Sequence, residues 1–346
     1  MVSKSKETFQ IFKKINSYPF QQCLSFIYLH LCKSLNTYNQ FICLMHAIRR
    51  KIIYIYNPVS GTKSKDALLK KIETATQEKH LQFEFFVTDP KGEYEVLRKK
   101  IIQQKITDVV IIGGDGTVNQ ITNALRHCNV RFGIIPAGSG NGLAYTAGIP
   151  KNKNLALQMI FNESAKKTDA FRINNYYSCM LSGLGFDAAV AHEFALHPKR
   201  GLRTYIQQTF LHFLKAHTYG FEIIMDDHSF FTEAYFISIA NSNQFGNNVT
   251  IAPKAKLNDG LLDIVIVQKM HKARLALAVL KQIRGNNDLN FYPDDISGKA
   301  VLYFQTAALT IKNLSNAPLH VDGDPYETAK EFKIEILKDS FEMIRP

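Results

Sequence analysis

Cysteine is scarce in this chain of 346 residues: there are five, at positions 23, 32, 43, 128 and 179, and no two form a Cys-x-x-Cys pair. An odd, widely spaced set argues against a disulfide framework, offers no zinc-ligand spacing, and suits a reducing cytoplasm. Long apolar runs are also missing. The stretch 20–47 is rich in apolar residues, but Gln21, Gln22, His30, Lys33, Asn36, Asn39 and Gln40 interrupt it too often for a membrane span. Acid is nearly absent from the first fifty residues, where Glu7 faces seven lysines and arginines, so half of the net charge of +12 sits there. That excess suits an anionic partner (a nucleotide, an acidic membrane surface or nucleic acid) without choosing among them. No internal repeat or low-complexity segment is present, and no aromatic-basic motif supports nucleic-acid binding.

What is present is an ordinary globular composition, 46% apolar and 21% charged, in a chain long enough for two domains. Phe20, Leu24, Ile27, Leu31 and Leu35 follow helical spacing, and Lys13 and Lys14 precede them, so an amphipathic surface helix is one reading of the start. The reading preferred here is an N-terminal extension over 1–48, with Met45 as an alternative start, because ordered patterning begins only near Arg50.

From there strands and helices alternate. Strands are expected at 51–56, 82–87, 108–112 and 131–135, and helices at 64–79, 93–104 and 118–125. That order predicts an α/β domain with a parallel sheet over 49–169. Beyond Asp169 strand-like runs recur at 176–181, 221–225, 233–240, 261–267, 300–304, 308–314 and 332–337. Helices interrupt them only near 201–217 and 272–283. This predicts an all-β sandwich domain over 170–330, with 331–346 as a C-terminal strand segment able to return to the first domain.

Three loops carry the chemistry. Val109–Ile112 delivers Gly113-Gly114-Asp115-Gly116-Thr117 ahead of a helix. Glycines there permit close approach of the backbone to a ligand, and the helix start offers N–H groups and a positive dipole end to phosphate. Asp115 is the odd member, since a carboxylate beside phosphate needs a cation, a hydrogen bond or a proton. Alone, the motif also reads as a tight strand–helix turn. A second loop, Pro136-Ala137-Gly138-Ser139-Gly140-Asn141-Gly142, follows the next strand, and a third, Asn57-Pro58-Val59-Ser60-Gly61, follows the first. Loops after successive parallel strands share one sheet edge, where such folds bind ligands.

Together GGDGTVNQ at 113–120, NPVSG at 57–61 and PAGSGNGLA at 136–144 resemble the soluble diacylglycerol-kinase and sphingosine-kinase family of lipid kinases. Further matches are GLGFD at 183–187, Ala240-Asn241, Ile251-Ala252-Pro253, DGLLD at 259–263 and VDGD at 321–324. The resemblance runs from about residue 50 to the end; GGDGT alone is shared with NAD kinases and phosphofructokinases. It implies an NAD-kinase-like α/β nucleotide domain with a second β-sandwich domain, ATP and Mg²⁺ as cofactors, and a lipid acceptor such as diacylglycerol or a sphingoid base. It implies ATP contacts at Asn57, Pro58, Ser60, Gly61, Thr88, Gly114, Asp115, Gly116, Thr117, Asn119, Gln120, Gly138, Ser139 and Asn141. Asp322 matches the general base, with Asp115 as a second catalytic residue. Lys256, Asp259 and Leu261 match a structural magnesium site, and Asp324 a further metal contact. The expected setting is cytoplasmic and peripheral at a membrane, with room for a homodimer. Two positions depart from the pattern: Asp324 stands where the family usually has glutamate, and Gly142 where some bacterial diacylglycerol kinases have aspartate.

His192, His197, His212 and His217 have no carboxylate cluster near them in sequence and read as a helix face rather than a metal site. Lys199, Arg200 and Arg203 could touch lipid phosphate or simply face solvent. The rival readings are an NAD kinase and a degenerate module that binds nucleotide or lipid without turnover.

Overall fold

A computed structural model describes residues 50–60, 65–196, 217–226, 228–246, 249–270 and 299–346. The expected N-terminal helix, Gly61, His197, His212, the basic cluster Lys199, Arg200 and Arg203, and the helices sought near 201–217 (but for His217) and 272–283 lie outside those residues. The chain divides into two compact units, residues 1–50 with 75–82 and residues 51–74 with 83–346.

The first half is built on β1 (Lys51–Tyr56), α1 (Asp66–Glu78), β2 (Gln82–Val87), α2 (Glu95–Gln104), β3 (Asp108–Gly113), α3 (Asp115–Leu125), β4 (Arg131–Pro136), α4 (Gly142–Thr146) and α5 (Lys153–Asn162). β1, β3 and β4 run parallel, with Ile53 beside Val109 and Val109 beside Phe132. β3 is buried along its whole length, as a strand covered on both faces must be, which explains its unbroken run of valine and isoleucine. Its one charge, Asp108, is fully buried and paired with Arg131 at 2.6 Å. Helix α3 starts at Asp115, three residues earlier than expected. Gly114 caps it in extended conformation, so Asp115, Gly116 and Thr117 form its first turn.

The second half comprises β5 (Ala165–Ile173), β6 (Tyr176–Ser178), β7 (Leu181–Gly185), α6 (Phe186–Leu196), β8 (Tyr219–Met225), β9 (His228–Ala240), β10 (Gln244–Gly246), β11 (Val249–Thr250), β12 (Leu262–Gln268), β13 (Val301–Thr306), β14 (Ala308–Asn313), β15 (Leu319–Val321), β16 (Asp324–Tyr326) and β17 (Glu331–Ile344). Its strands pair antiparallel around a core that includes Phe171, Phe221, Ile237, Ile264 and Phe332. This is the NAD-kinase-like pairing of a parallel sheet with a β-sandwich.

Three expectations need correction. The single strand sought at 176–181 is two, β6 and β7, broken where the N–H groups of Cys179 and Met180 turn to the Asp322 carboxylate. Helices α5 and α6 and strand β5 were not anticipated, α6 against the expectation that helices interrupt the second half only near 201–217 and 272–283, and the texture change noted at Asp169 falls inside β5. The strand sought at 332–337 extends to 344. β17 lies antiparallel to β14 and β5, passes a register shift between Leu337 and Phe341, and ends parallel to β4, so the main sheet is continuous across both halves. Alternating exposed lysine and glutamate along β17 hid its length, since only one of its faces is covered.

Candidate active site

The two glycine loops touch backbone to backbone. A β-carbon on Gly114 would come within 3.0 Å of Gly138 Cα, and one on Gly138 within 3.1 Å of Gly114 N and closer still to Gly114 Cα. The contact continues the β3–β4 ladder, in which Ala137 N–H donates to Gly113 O at 2.8 Å. Asn141, in left-handed conformation (φ 58°), closes the second loop on itself: its amide exchanges two 2.9 Å hydrogen bonds with the N–H and C=O of Gly138. Ser139 is left exposed at the loop's tip.

The Asp115 carboxylate takes the second of the remedies open to it. It accepts the N–H groups of Gly142 at 3.0 Å and Leu143 at 3.2 Å, capping helix α4. Loss of solvent pushes its carboxyl above the ordinary range, and those N–H groups pull it back. Asp115 is thus a clamp between the glycine loops. Removing a charged acceptor from two buried donors costs roughly 1–3 kcal/mol. Asp115→Ala is expected to lose about that much in urea unfolding, with Asp115→Asn in between because it keeps one acceptor.

The first loop joins the same edge. Asn57 Nδ2 donates to Thr117 Oγ1 at 3.2 Å, and Asn57 Oδ1 accepts Val59 N–H at 3.0 Å. Thr88 is buried beside it, its N–H donating to Tyr56 O at 3.0 Å. Beneath the loop lies Lys65, which sequence reading missed. Its buried ammonium donates to the carbonyls of Pro58 and Ser60, turning them inward. Burial, and then Lys153, lower its pKa. No motif marks it, because its role depends on where helix α1 begins.

From the other half comes the β15–β16 hairpin. Val321 pairs with Asp324 across a two-residue turn in which Asp322 (φ 50°) and Gly323 (φ 88°) both lie in the left-handed region. This is the type I′ geometry that Asp-Gly favours. The plain reading of Asp322 as a turn residue is therefore correct, and its carboxylate is also held in a built site. Oδ1 accepts Ser178 Oγ at 2.5 Å and Leu181 N–H at 2.9 Å, and Oδ2 accepts Cys179 N–H at 3.3 Å. Burial pushes its pKa up to about 6; the Ser178, Leu181 and Cys179 donors oppose that shift, and nearby Asp115 adds to it. Asp324, exposed, reaches the first glycine loop: a β-carbon on Gly116 would meet its Oδ2 at 3.0 Å. The aspartate side chain, one methylene shorter than glutamate, still arrives there.

Other expected residues also make bonds within the protein. The Asn119 amide donates to Tyr177 O at 3.1 Å. Gln120 is spent on the loop after β2, donating to Asp89 O and accepting from the Tyr94 hydroxyl, each at 3.1 Å. The Lys256–Leu261 loop is held by Asp169: Asp169 Oδ2 accepts Gly260 N–H and its Oδ1 accepts Asp339 N–H, both at 2.8 Å. The Asp259 carboxylate is exposed there and accepts Leu261 N–H at 3.2 Å; with the backbone carbonyls of Lys256 and Leu261, which the resemblance implies, it would make an oxygen set of the kind a hard cation takes. The Lys338 side chain lies against Gly260 beside them. Among the described residues no group of three His, Cys, Asp or Glu side chains is arranged to hold a metal, and no helix is long and apolar enough to cross a membrane. His192 Nε2 lies 2.8 Å from Leu319 O.

Residues 51–173 match the family model of the diacylglycerol kinase catalytic domain, and residues 182–334 that of the YegS C-terminal NAD kinase beta sandwich-like domain. A protein of Staphylococcus carnosus named diacylglycerol kinase is 23% identical over 290 residues, covering 80% of this chain and 89% of its own. Its namesake in Staphylococcus aureus strain RF122 is 26% identical over 295 residues, covering 80% and 87%. A Shewanella frigidimarina protein named "Probable lipid kinase YegS-like" is 27% identical over 252 residues, covering 71% and 78%. A solved structure of a diacylglycerol kinase from Bacillus anthracis str. Sterne shares the fold, with a TM-score of 0.64 at 20% identity over 86% of this chain and 97% of that one. With both halves of the family's architecture matched in order, the chain belongs to the diacylglycerol-kinase and YegS-like family of lipid kinases.

Proposed function

We propose that this lipid kinase transfers the γ-phosphoryl group of ATP to the hydroxyl of a lipid, with diacylglycerol as the first acceptor to try. The observation that carries the proposal is the meeting of Asp322 and Asp324, from the sandwich hairpin, with the Gly113–Thr117 loop at the edge of the parallel sheet. The family supplies the reaction class, and the names of the Staphylococcus relatives favour diacylglycerol.

In this reading the nucleotide lies along the loops 57–60, 113–117 and 136–141. Its phosphates face backbone N–H groups at the start of α3, and Thr88, Ser139 and the fold of Asn141 complete the site. Asn119 and Gln120 act from behind, through their internal hydrogen bonds. Asp322 takes the proton of the acceptor hydroxyl as that oxygen attacks the γ-phosphorus in line; the bond to the β–γ bridging oxygen breaks and ADP leaves. Asp324 would hold Mg²⁺ here, a single carboxylate beside the substrate being a set of donors that suits that ion. When bound, the ion supplies charge neutralisation on the transferred group. The Lys256–Leu261 loop would hold a second, structural ion. The setting proposed is the surface of a membrane, where the acceptor resides.

The test offers labelled ATP with diacylglycerol, sphingoid bases, ceramide, phosphatidylglycerol, polyprenols and, separately, NAD. Label is expected in one lipid and not in NAD. Label in NAD alone would make the chain an NAD kinase, and ATP binding without any labelled product would make it a degenerate module.

A further inference from the structure

We infer that Asp187 and His320 are a positioning pair that sets the Asp322–Asp324 turn for phosphoryl transfer. The inference rests on the reading of Asp322 as proton acceptor.

Leu319 and Val321 of β15 point into the sandwich core, so the alternation of the strand sends His320 to the opposite face, where it is 2% exposed. Across the β7–β15 ladder its partner is Gly183. That glycine leaves the space the pair needs: a β-carbon there would lie 2.6 Å from His320 Nε2 and closer still to the Asp187 carboxylate. Strand β7 then bends at Gly185 (φ 98°) into helix α6, which sets Asp187, 8% exposed, over the gap. Asp187 Oδ1 is fixed by Ala188 N–H at 2.8 Å.

The imidazole joins helix to turn. Its Nε2 lies 3.3 Å from Asp187 Oδ2, and its Nδ1 accepts Gly323 N–H at 3.3 Å. A nitrogen that accepts carries no proton, so Nε2 bears the ring hydrogen and donates to Asp187. Gly323 N–H is not part of the two-residue turn's own ladder, and although Gly323 itself is exposed, its N–H turns inward onto His320 Nδ1, so the ring sets which way that peptide faces. The peptide lies between Asp322 and Asp324. Rotating it would swing both carboxylates, one out of its donors at Ser178 and Leu181, the other off Gly116.

A buried polar pair could merely stabilise the sandwich, so the test has to separate position from stability. His320→Asn puts an amide oxygen where Nδ1 accepts from Gly323; His320→Gln puts an amide nitrogen where Nε2 donates to Asp187; His320→Ala does neither. Each full-length variant is assayed with the lipid that the wild type labels, alongside Asp322→Asn. Misplacement on the scale of 1 Å costs on the order of 100-fold. For His320→Ala we expect kcat to fall about 10- to 100-fold, with KM for ATP and lipid within about threefold. His320→Asn is expected to recover most of that loss, and His320→Gln less. Amide exchange over 322–324 should quicken in the alanine variant while the Tm of the three variants does not rank them in the order of their kcat. Unchanged kcat in His320→Ala, equal losses in all three, or losses that track Tm would overturn the pair. An Asp322→Asn enzyme that stays active would overturn the transfer reading itself, and the pair with it; a dead Asp322→Asn beside a fully active His320→Ala would remove only the pair.

Discussion

Asp322→Asn is expected to lose about 10²- to 10⁴-fold in kcat, the range that general base catalysis supplies, with KM for ATP little changed. The wild-type rate should also fall as pH drops through about 6, the value to which burial raises this carboxyl, because only the ionised form can take the hydroxyl proton. The asparagine variant should show no such limb. Stability runs the other way. A carboxyl whose folded pKa is raised adds stability that is complete below its ordinary value of 3.8 and lost as pH rises through about 6. At neutral pH the ionised Asp322 therefore costs the fold on the order of 3 kcal/mol, the free energy of a shift of this size. Asparagine keeps an oxygen for Ser178 and Leu181, places an NH₂ opposite Cys179 N–H, and carries no charge to desolvate. Thermal unfolding at pH 7.5 should show the dead enzyme no less stable than the wild type by more than about 1 kcal/mol. A variant that is inactive because it is unfolded would refute this account. One that is active would move the proton elsewhere.

Gly138→Ala is expected to weaken ATP binding by more than about tenfold and to cost roughly 1–3 kcal/mol of stability, as overpacking a close contact does. The obstacle is backbone: the new methyl would meet Gly114 Cα and N, and no side chain can turn aside. Relief requires the loops to part, which strains the Asp115 clamp on Gly142 and Leu143 as well. Gly323→Ala is a useful contrast. There the backbone is left-handed (φ 88°) but no atom lies within 4 Å of the added carbon, so only conformational strain of about 1 kcal/mol is expected and ATP affinity should hold. Calorimetric titration of ATP into both variants checks the pair. Equal affinities would show that the glycine contact does not shape the nucleotide site.

The glycine loops were readable because each follows a buried strand whose apolar run is unmistakable, Val109–Ile112 and Phe132–Ile135. That these loops share one edge of a parallel sheet follows from that pattern. Asp322 was readable only through resemblance, since Asp-Gly by itself is a turn. What could not be read was which polar side chains look inward. Asn119 and Gln120 lie in the motif but bond to Tyr177, Asp89 and Tyr94, partners remote in sequence. Lys65 and His320 lie outside any motif, and their roles come from carbonyls and amides that only the fold brings near. β17 was cut short because a strand covered on one face alternates with charge and shows no continuous apolar run.

That last strand also sets the mechanics of the site. β17 is stitched to β14 and β5 over most of its length, yet meets β4 through only two residue pairs, Glu342 with Arg131 and Met343 with Phe132. The glycine loops ride on the β4 side and the Asp322 hairpin on the other. The halves are also tied by Asn119 Nδ2 to Tyr177 O at 3.1 Å and Thr146 Oγ1 to Asn243 Oδ1 at 2.7 Å, so a change in the gap between Gly116 and Asp324 would load this short seam together with those two bonds. Two residue pairs and two side-chain bonds are a narrow strap for a sheet this long, with most of the ladder lying to either side of it.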